Sequence, residues 1–285
     1  MKIGLSTYSL YSAISSGEMS VLDAIDWIVE QGGEHVEIVP LGFNLSENPE
    51  LITQIRERAK AVGLDISNYA IGANFIQPNE KAYQQEIERV KKEVDIAHAL
   101  GAKRMRHDVA SRPEPTMQHF MQDLPMLAEA CRQIADYAAG FGITTSVENH
   151  GYYIQASDRV QALIHAVDHP NFKTTLDVGN FMCVDEESVS AVKKNLSFAS
   201  MVHLKDFYLR PSYQPPGEGW FKTASGNYLR GAIVGQGDID MWQVLRVIKE
   251  SGYDGYLSIE FEGMEDCKKG SRIGMDNARR IWNEI

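Results

Sequence analysis

Along this chain, short runs of apolar residues alternate with longer stretches whose apolar positions recur every three or four residues. The first pattern is that of buried strands, and the second that of amphipathic helices packed along one face. Lys2–Leu5 reads as a strand. Val21–Gln31 reads as a helix with Leu22, Ile25, Ile28 and Val29 on one side and Gly32-Gly33 as its stop. The series continues with strand Val36–Val39, helix Pro49–Val62, strand Asp65–Ile71, helix Lys81–Leu100, strand Lys103–His107 and helix Met117–Phe141. Strands beginning at Thr144, Phe172, Met201 and Tyr256 then alternate with helices Ser157–Val167, Glu186–Asn195, Met241–Ser251 and Ser271–Trp282. Gly63, Gly101 and Gly142 each fall between a helix and the next strand, where a glycine C-cap ends the helix and lets the chain turn back. Eight strands and eight helices in alternation predict an α/β fold, a (β/α)8 TIM barrel spanning residues 1–285 as a single domain. An open doubly wound sheet would show a similar periodicity and is the competing architecture.

Two stretches break the rhythm. One is Asp108–Thr116 and the other Phe207–Asp238, an excursion of about thirty residues where most connections take about 2–6. In a barrel the loops that follow strands build the active face. The second stretch (207–238) carries Tyr208, Tyr213, Trp220, Phe221 and Tyr228, and up to Val234 its charges are Arg210, Lys222 and Arg230 against Glu218. That aromatic content predicts an ordered lid over the barrel mouth; a plain surface excursion or an oligomer contact is the alternative.

Four of the strands end on an ionisable residue: Glu148 after TTSV, Asp177 after FKTTL, His203 in MVHLKD and Glu260 after YLSI. A buried parallel strand is nearly all apolar, so such an ending needs a reason. Glu148, Asp177 and His203 lie 29 and 26 residues apart, close to the roughly 30 residues of one βα unit. Glu260 follows 57 residues later, a gap that the long excursion explains. Side chains alternate along a strand, so Ser146 with Glu148, Thr175 with Asp177, His203 with Lys205 and Ser258 with Glu260 face the barrel axis. Val147, Leu176, Leu204 and Ile259 then face the helices. Three carboxylates at one mouth repel one another unless a cation neutralises them. With one imidazole and no cysteine, the set suits a single divalent ion, Mn²⁺ first and Mg²⁺, Co²⁺ or Zn²⁺ next, and argues against a structural zinc site. Any one of these acids alone could instead cap the following helix, and a lone buried histidine is more often a core residue.

Composition narrows the partners. At 285 residues with 44% hydrophobic content the chain can bury a large core. Its net charge of −11 works against nucleic acid and against an anionic membrane. Three cysteines without motif spacing (Cys131, Cys183, Cys267) fit a reducing compartment. The opening MKIGLSTYSL lacks the apolar core of a signal peptide, and no run is long enough to span a bilayer, so a cytoplasmic location is expected.

The ordered set ENHG, LDVGN, HLKD and IEFEG, with the opening KIGLSTYS and the stretch GQGDID (Gly235–Asp240), resembles the xylose isomerase-like TIM-barrel superfamily and its sugar phosphate isomerase/epimerase branch. The resemblance covers essentially the whole chain. It implies metal ligands at Glu148, Asp177, His203 and Glu260, with Glu148 and Glu260 also serving as the acid–base pair, a carbohydrate substrate and a homo-oligomer. The superfamily also contains endonuclease IV, a three-zinc phosphodiesterase. That enzyme carries a histidine three residues after its strand-6 aspartate, where this chain has Asn180, and its D-x-H motif has no counterpart after His203.

The chemistry so implied is proton transfer through a cis-enediolate of a ketose, keto-sugar or sugar phosphate, giving epimerisation or aldose–ketose isomerisation. An inosose dehydratase-like or keto-glycoside lyase reaction would use the same metal site, and a non-catalytic sugar-binding barrel is the reading from another class. Expected substrate contacts are His107 at the end of strand 4, His150 and Asn180 just past strands 5 and 6, Lys205 beside His203, Tyr8 after strand 1 and Trp220 from the lid. For each, the competing role is structural: a loop hydrogen bond for His150 and Asn180, a mouth ion pair for Lys205, a dimer contact for Trp220.

Overall fold

In the computed structural model, which describes residues 1–285, eight parallel strands close into a barrel. These are β1 (Lys2–Ser6), β2 (His35–Ile38), β3 (Asp65–Ile71), β4 (Arg104–His107), β5 (Thr144–Glu148), β6 (Phe172–Asp177), β7 (Ala199–Leu204) and, after three further strands β8 (Asp206–Arg210), β9 (Phe221–Lys222) and β10 (Tyr228–Ala232), the closing strand β11 (Tyr256–Ile259). Around the barrel each strand pairs with its sequence neighbour, and β11 lies between β7 and β1. Closure settles the choice between barrel and open sheet, because β1 is hydrogen-bonded to both β2 and β11.

The helices form the outer layer: α1 (Tyr11–Ser15), α2 (Val21–Glu30), α3 (Pro49–Val62), α4 (Glu80–Leu100), α5 (Met117–Ala139), α6 (Ser157–Val167), α7 (Ser188–Asn195), α8 (Met241–Glu250) and α9 (Cys267–Glu284). Their starts follow capping chemistry. Ser20 and Asp23 form a reciprocal capping box on α2, and the Asn48 side chain caps α3 ahead of Pro49. Gly63 and Gly101 close α3 and α4 in left-handed conformations, as the glycine positions predicted. A continuous cluster of 66 buried apolar residues joins strands to helices. Val147, Leu176, Leu204 and Ile259 all belong to it, whereas the Ser146 and Thr175 hydroxyls meet at 2.8 Å, so the expected alternation of faces holds. Each fully buried Leu or Ile of this layer contributes about 1.5–3 kcal/mol. No helix is long and apolar enough to cross a membrane.

The departures from the sequence reading include one added segment and two displaced helix starts. A 3-10 turn (Thr7–Leu10) and α1 fill the link between β1 and α2, which carried no assignment. The last helix begins at Cys267 rather than Ser271: Asp266 accepts the Lys269 amide at 2.8 Å, and this cap outweighs the polar run KKG that masked the start. Helix α7 begins at Ser188 because Glu187 turns back to accept the amides of Val189 and Ser190.

The excursion at 207–238 is a structure of its own, a three-stranded antiparallel sheet in the order β8-β10-β9. Asp206 anchors its base. The buried carboxylate accepts the amides of Gly235 and Gly237 on one oxygen, at 2.9 Å each, and those of Phe207 and Ile239 on the other, at 2.9 and 3.3 Å. A side chain at 237 is incompatible with this, since its Cβ would lie 2.1 Å from the Asp206 carboxylate. The GQGDID stretch is therefore a receiver for one buried acid, which draws together the start and end of the excursion.

Asp206→Asn presents an amide NH₂ to backbone N–H groups that need an acceptor. It should cost about 1.5–3 kcal/mol, read as a lower thermal midpoint, together with faster proteolytic cleavage within 207–238. Unchanged stability and unchanged cleavage would remove Asp206 from this anchoring role.

Candidate functional site

Strands β5, β6, β7 and β11 are consecutive neighbours in the barrel, so their last inward-facing residues meet at one mouth. Asp177 pairs in register with His203, and His203 with Ser258, two residues before Glu260. One ligand atom from each of Glu148, Asp177, His203 and Glu260 lies within 4.8 Å of the others, and all four residues are buried. The His203 Nδ1 stands 3.6 Å from Glu148 Oε1, 3.5 Å from Glu260 Oε1 and 3.9 Å from Asp177 Oδ2.

Whether these residues fit a metal ion is tested by their unsatisfied atoms. His203 Nδ1 and Asp177 Oδ2 are buried and make no hydrogen bond. A buried polar atom left unpaired costs about 1–3 kcal/mol, and a divalent cation among the four side chains would satisfy both. Three carboxylates and an imidazole, with no thiolate, are the donors of Mn²⁺, Mg²⁺, Co²⁺ or Zn²⁺. The residues fit such an ion.

The surrounding side chains hold these donors in place. Glu37, at the end of β2, hydrogen-bonds His203 Nε2 at 2.9 Å and itself accepts from Asn68 Nδ2 at 2.7 Å. The partner of Nε2 leaves Nδ1 for the cluster, the arrangement by which a ligating imidazole is usually oriented. Asp177 divides its oxygens: Oδ1 accepts the amides of Gly179 and Asn180, both at 2.8 Å, and Oδ2 faces the cluster. One carboxylate thus ties down the turn after β6 and presents its other oxygen to the cluster. Asn149 extends the β5–β6 ladder past its end, donating to the Asp177 carbonyl and accepting its amide, both at 2.8 Å.

The two glutamates are divided in the same way. Glu148 turns Oε1 to the cluster and to Asn180 Nδ2 (3.0 Å), and Oε2 to Arg106 Nε (2.7 Å). Glu260 turns Oε1 to the cluster and Oε2 to Lys205 Nζ (2.7 Å). Burial opposes charge on Glu148, but Arg106 and His203 outweigh it and hold the carboxyl well below its ordinary range. Burial pushes Asp177 up to about 6, against the pull of Lys205. Burial also opposes charge on Lys205 and His203. The neighbouring carboxylates outweigh it, with Asp177, Glu260 and Glu262 around the lysine and Glu37, Glu260 and Glu148 around the imidazole, and both groups are raised well above their usual values.

Above the cluster opens a cavity of about 670 Å³, within the range of small-molecule sites. Of the expected contacts, Tyr8, His150, Asn180 and Lys205 line it. Tyr8 Oη donates to Glu262 at 3.0 Å, and His150 Nδ1 lies 3.3 Å from Asp108. Two expectations are corrected. His107 is buried between Phe75 and Phe172, with Nδ1 against the Asp108 carbonyl, and burial lowers its pKa to about 4. Strand alternation is the reason: Arg106, in register with Ser146, takes the inward position on β4. Trp220 stands outside the cavity, flanked by the guanidinium groups of Arg210 and Arg230 at 5.5 and 5.6 Å from its ring. Its neighbour Phe221 reaches the lining instead, beside Tyr152, whose hydroxyl donates to the Lys222 carbonyl at 2.7 Å.

Sequence reasoning assigned no role to Asp108, Glu262, Gln155 or Glu93, all of which line the cavity. For Glu262 the signal was present, since it continues the inward alternation from Ser258 and Glu260. For Glu93, on the long helix α4, nothing in the periodicity marks it.

An inosose dehydratase of Clostridium botulinum (strain Alaska E43 / Type E3) is 25% identical over 185 residues, covering 59% of this chain and 60% of that enzyme, so the match spans less than two thirds of the relative's length. The crystal structure described as the probable 3-DHS dehydratase AsbF of Bacillus anthracis superposes with a TM-score of 0.77 at 17% identity, covering 97% of this chain and 98% of that one. A D-tagatose 3-epimerase-like protein gives a TM-score of 0.74 at 20% identity, covering 100% and 99%. At these identities the superpositions establish the fold. The family described as xylose isomerase-like TIM barrel matches residues 25–281, and this chain belongs to it.

Proposed function

We propose that this protein is a divalent-metal-dependent enzyme that moves a proton at the carbon beside a carbonyl, acting as an epimerase or aldose–ketose isomerase on a ketose, keto-sugar or sugar phosphate. The observation that carries this reading is the division of Glu148 and Glu260. Each points one oxygen into the four-ligand cluster and keeps the other against a cation at 2.7 Å. The bound ion would supply Lewis-acid polarisation of the substrate carbonyl.

The chain's own residues supply the rest. Glu148 and Glu260 come from β5 and β11, with β6 and β7 between them, and so approach the cavity from two sides. One carboxylate takes the proton from the carbon, which leaves an enediolate. The other returns a proton to the opposite face for epimerisation, and return to the neighbouring carbon gives isomerisation. Arg106 and Lys205 orient the two carboxylates. Tyr8, Asn180 and His150 stand at the lining where substrate hydroxyls would be held. A positioned acid–base group contributes about 10²–10⁴ in rate.

The inosose dehydratase relative supports a second outcome on the same site, in which proton removal is followed by loss of a hydroxyl from the next carbon. Solvent-deuterium exchange followed by NMR separates the outcomes: label at an inverted carbon for epimerisation, at the neighbouring carbon for isomerisation, and an unsaturated product for dehydration. Exchange should require added Mn²⁺ and disappear with chelator; exchange in metal-free protein would sink the metal-dependent reading.

Glu148→Gln and Glu260→Gln should each lower turnover by at least about 10²-fold. Activity retained in either variant removes that residue from the acid–base pair. Glu37→Gln weakens the support of His203 and should lower metal affinity by about 10–100-fold. A direct metal titration checks this, and unchanged affinity would assign Glu37 to packing alone.

A further inference from the structure

We infer that the substrate is an uncharged keto-polyol, and that the charge of the cavity turns away sugar phosphates and sugar acids. This rests on the proton-transfer reading above and narrows its substrate class.

Only three cationic side chains of fixed charge reach the cavity, and each is already held by carboxylates. Arg106 is ion-paired with Glu148 (Nε, 2.7 Å) and Asp108 (Nη2, 3.0 Å) and donates its other terminal nitrogen to the Ile71 carbonyl (3.1 Å). Lys205 has Glu260 at 2.7 Å, Asp177 and Glu262 at 3.4 Å each and the Asn180 side-chain oxygen at 3.3 Å, more acceptors than its three protons. Arg89 makes a two-pronged pair with Glu86 at 2.8 and 2.9 Å, donates to the Gly72 carbonyl at 2.7 Å and reaches Glu93 at 3.4 Å. A phosphate or carboxylate would have to draw a cation away from carboxylates already 2.7–3.4 Å from it, and would meet their negative charge in doing so.

The balance of charge points the same way. Glu93, Asp108, Glu148, Glu260 and Glu262 line the cavity and Asp177 lies below them, six carboxylates against three cations. A divalent ion in the cluster still leaves these surroundings net negative. The basic residues of the 207–238 excursion do not correct this. Arg210 pairs with Asp238 at 3.4 Å and stacks on Trp220, Arg230 stacks on Tyr208 at 4.8 Å, Lys222 lies over Tyr228 at 5.9 Å, and none of the three lines the cavity. What the lining does offer suits an uncharged polyol. Its carboxylates accept from hydroxyl donors, while Tyr152 and Phe221, with Leu41 and Ile71, present apolar surface to C–H faces.

The test uses metal-loaded protein and matched pairs: D-fructose with D-fructose 6-phosphate, and D-xylulose with D-xylulose 5-phosphate. Saturation-transfer NMR reads binding whether or not turnover occurs, and deuterium exchange reads turnover. The uncharged member of at least one pair should bind and should exceed its phosphorylated partner in kcat/KM for exchange by about tenfold or more. Glu93→Gln, which releases Arg89 from one carboxylate, should narrow that ratio. Binding or exchange that favours the phosphorylated member of either pair overturns the inference, and so does failure to retain any uncharged sugar. Binding of the uncharged member without exchange would defeat the proton-transfer reading and leave the charge selection standing.

Discussion

Like charges buried at one end of a closed barrel set the terms for everything around them. At about 4 Å and an effective dielectric constant near 20, two unit charges interact by about 4 kcal/mol, so three carboxylates drawn around one imidazole cannot share that space without opposing charge. The protein supplies some of it as Arg106 against Glu148 and Lys205 against Glu260. These pairs occupy only one oxygen of each glutamate. The other oxygens, with Asp177 Oδ2 and His203 Nδ1, are left directed at one another. Partial compensation by fixed cations leaves a further positive charge wanting among these atoms, the place a divalent ion would take.

The backbone enforces this arrangement more than the side chains do. Closure leaves β5, β6, β7 and β11 no freedom of register, and a slip of one residue would turn all four cluster residues toward the helices. The ends of the strands are tied as well: Asn149 bridges β5 to β6 through both backbone groups of Asp177, and Glu37 reaches across the barrel from β2 to His203. Side chains held on strands by a supporting layer of hydrogen bonds keep their geometry better than side chains on loops.

How much of this could be read from the sequence follows from which interactions are local. The eight strands, the helix-ending glycines and the convergence of Glu148, Asp177, His203 and Glu260 were legible because period-two alternation and chain spacing are properties of the strand itself. Which of the adjacent residues Arg106 and His107 faces the barrel axis depends on the register against β5, and that register belongs to the sheet. Glu262 was legible by simple continuation of the alternation and was passed over. Choosing Trp220 over Phe221 failed for another reason. The excursion folds as a separate antiparallel sheet, and which of two adjacent aromatics faces the cavity depends on the pairing of β9 with β10, where a two-residue strand is too short for alternation to show. The role of Glu37 was hidden too, because its partner lies 166 positions away on β7.

The alternation along β7 and the residues after it joins the centre to the excursion without slack. His203 faces the cluster, Lys205 follows on the same side, and Asp206 turns outward to gather the amides that close the excursion's base. Three functions thus occupy four consecutive positions. A shift that repositioned Lys205 against Glu260 would also move the Asp206 carboxylate from the amides of Gly235 and Gly237. The far side is tied as well, since Tyr152, four residues beyond Glu148, holds the Lys222 carbonyl next to Phe221. The excursion is therefore fastened to the two strands that carry Glu148 and His203, and the shape of the cavity wall and the geometry of the four-residue cluster are set by the same few residues.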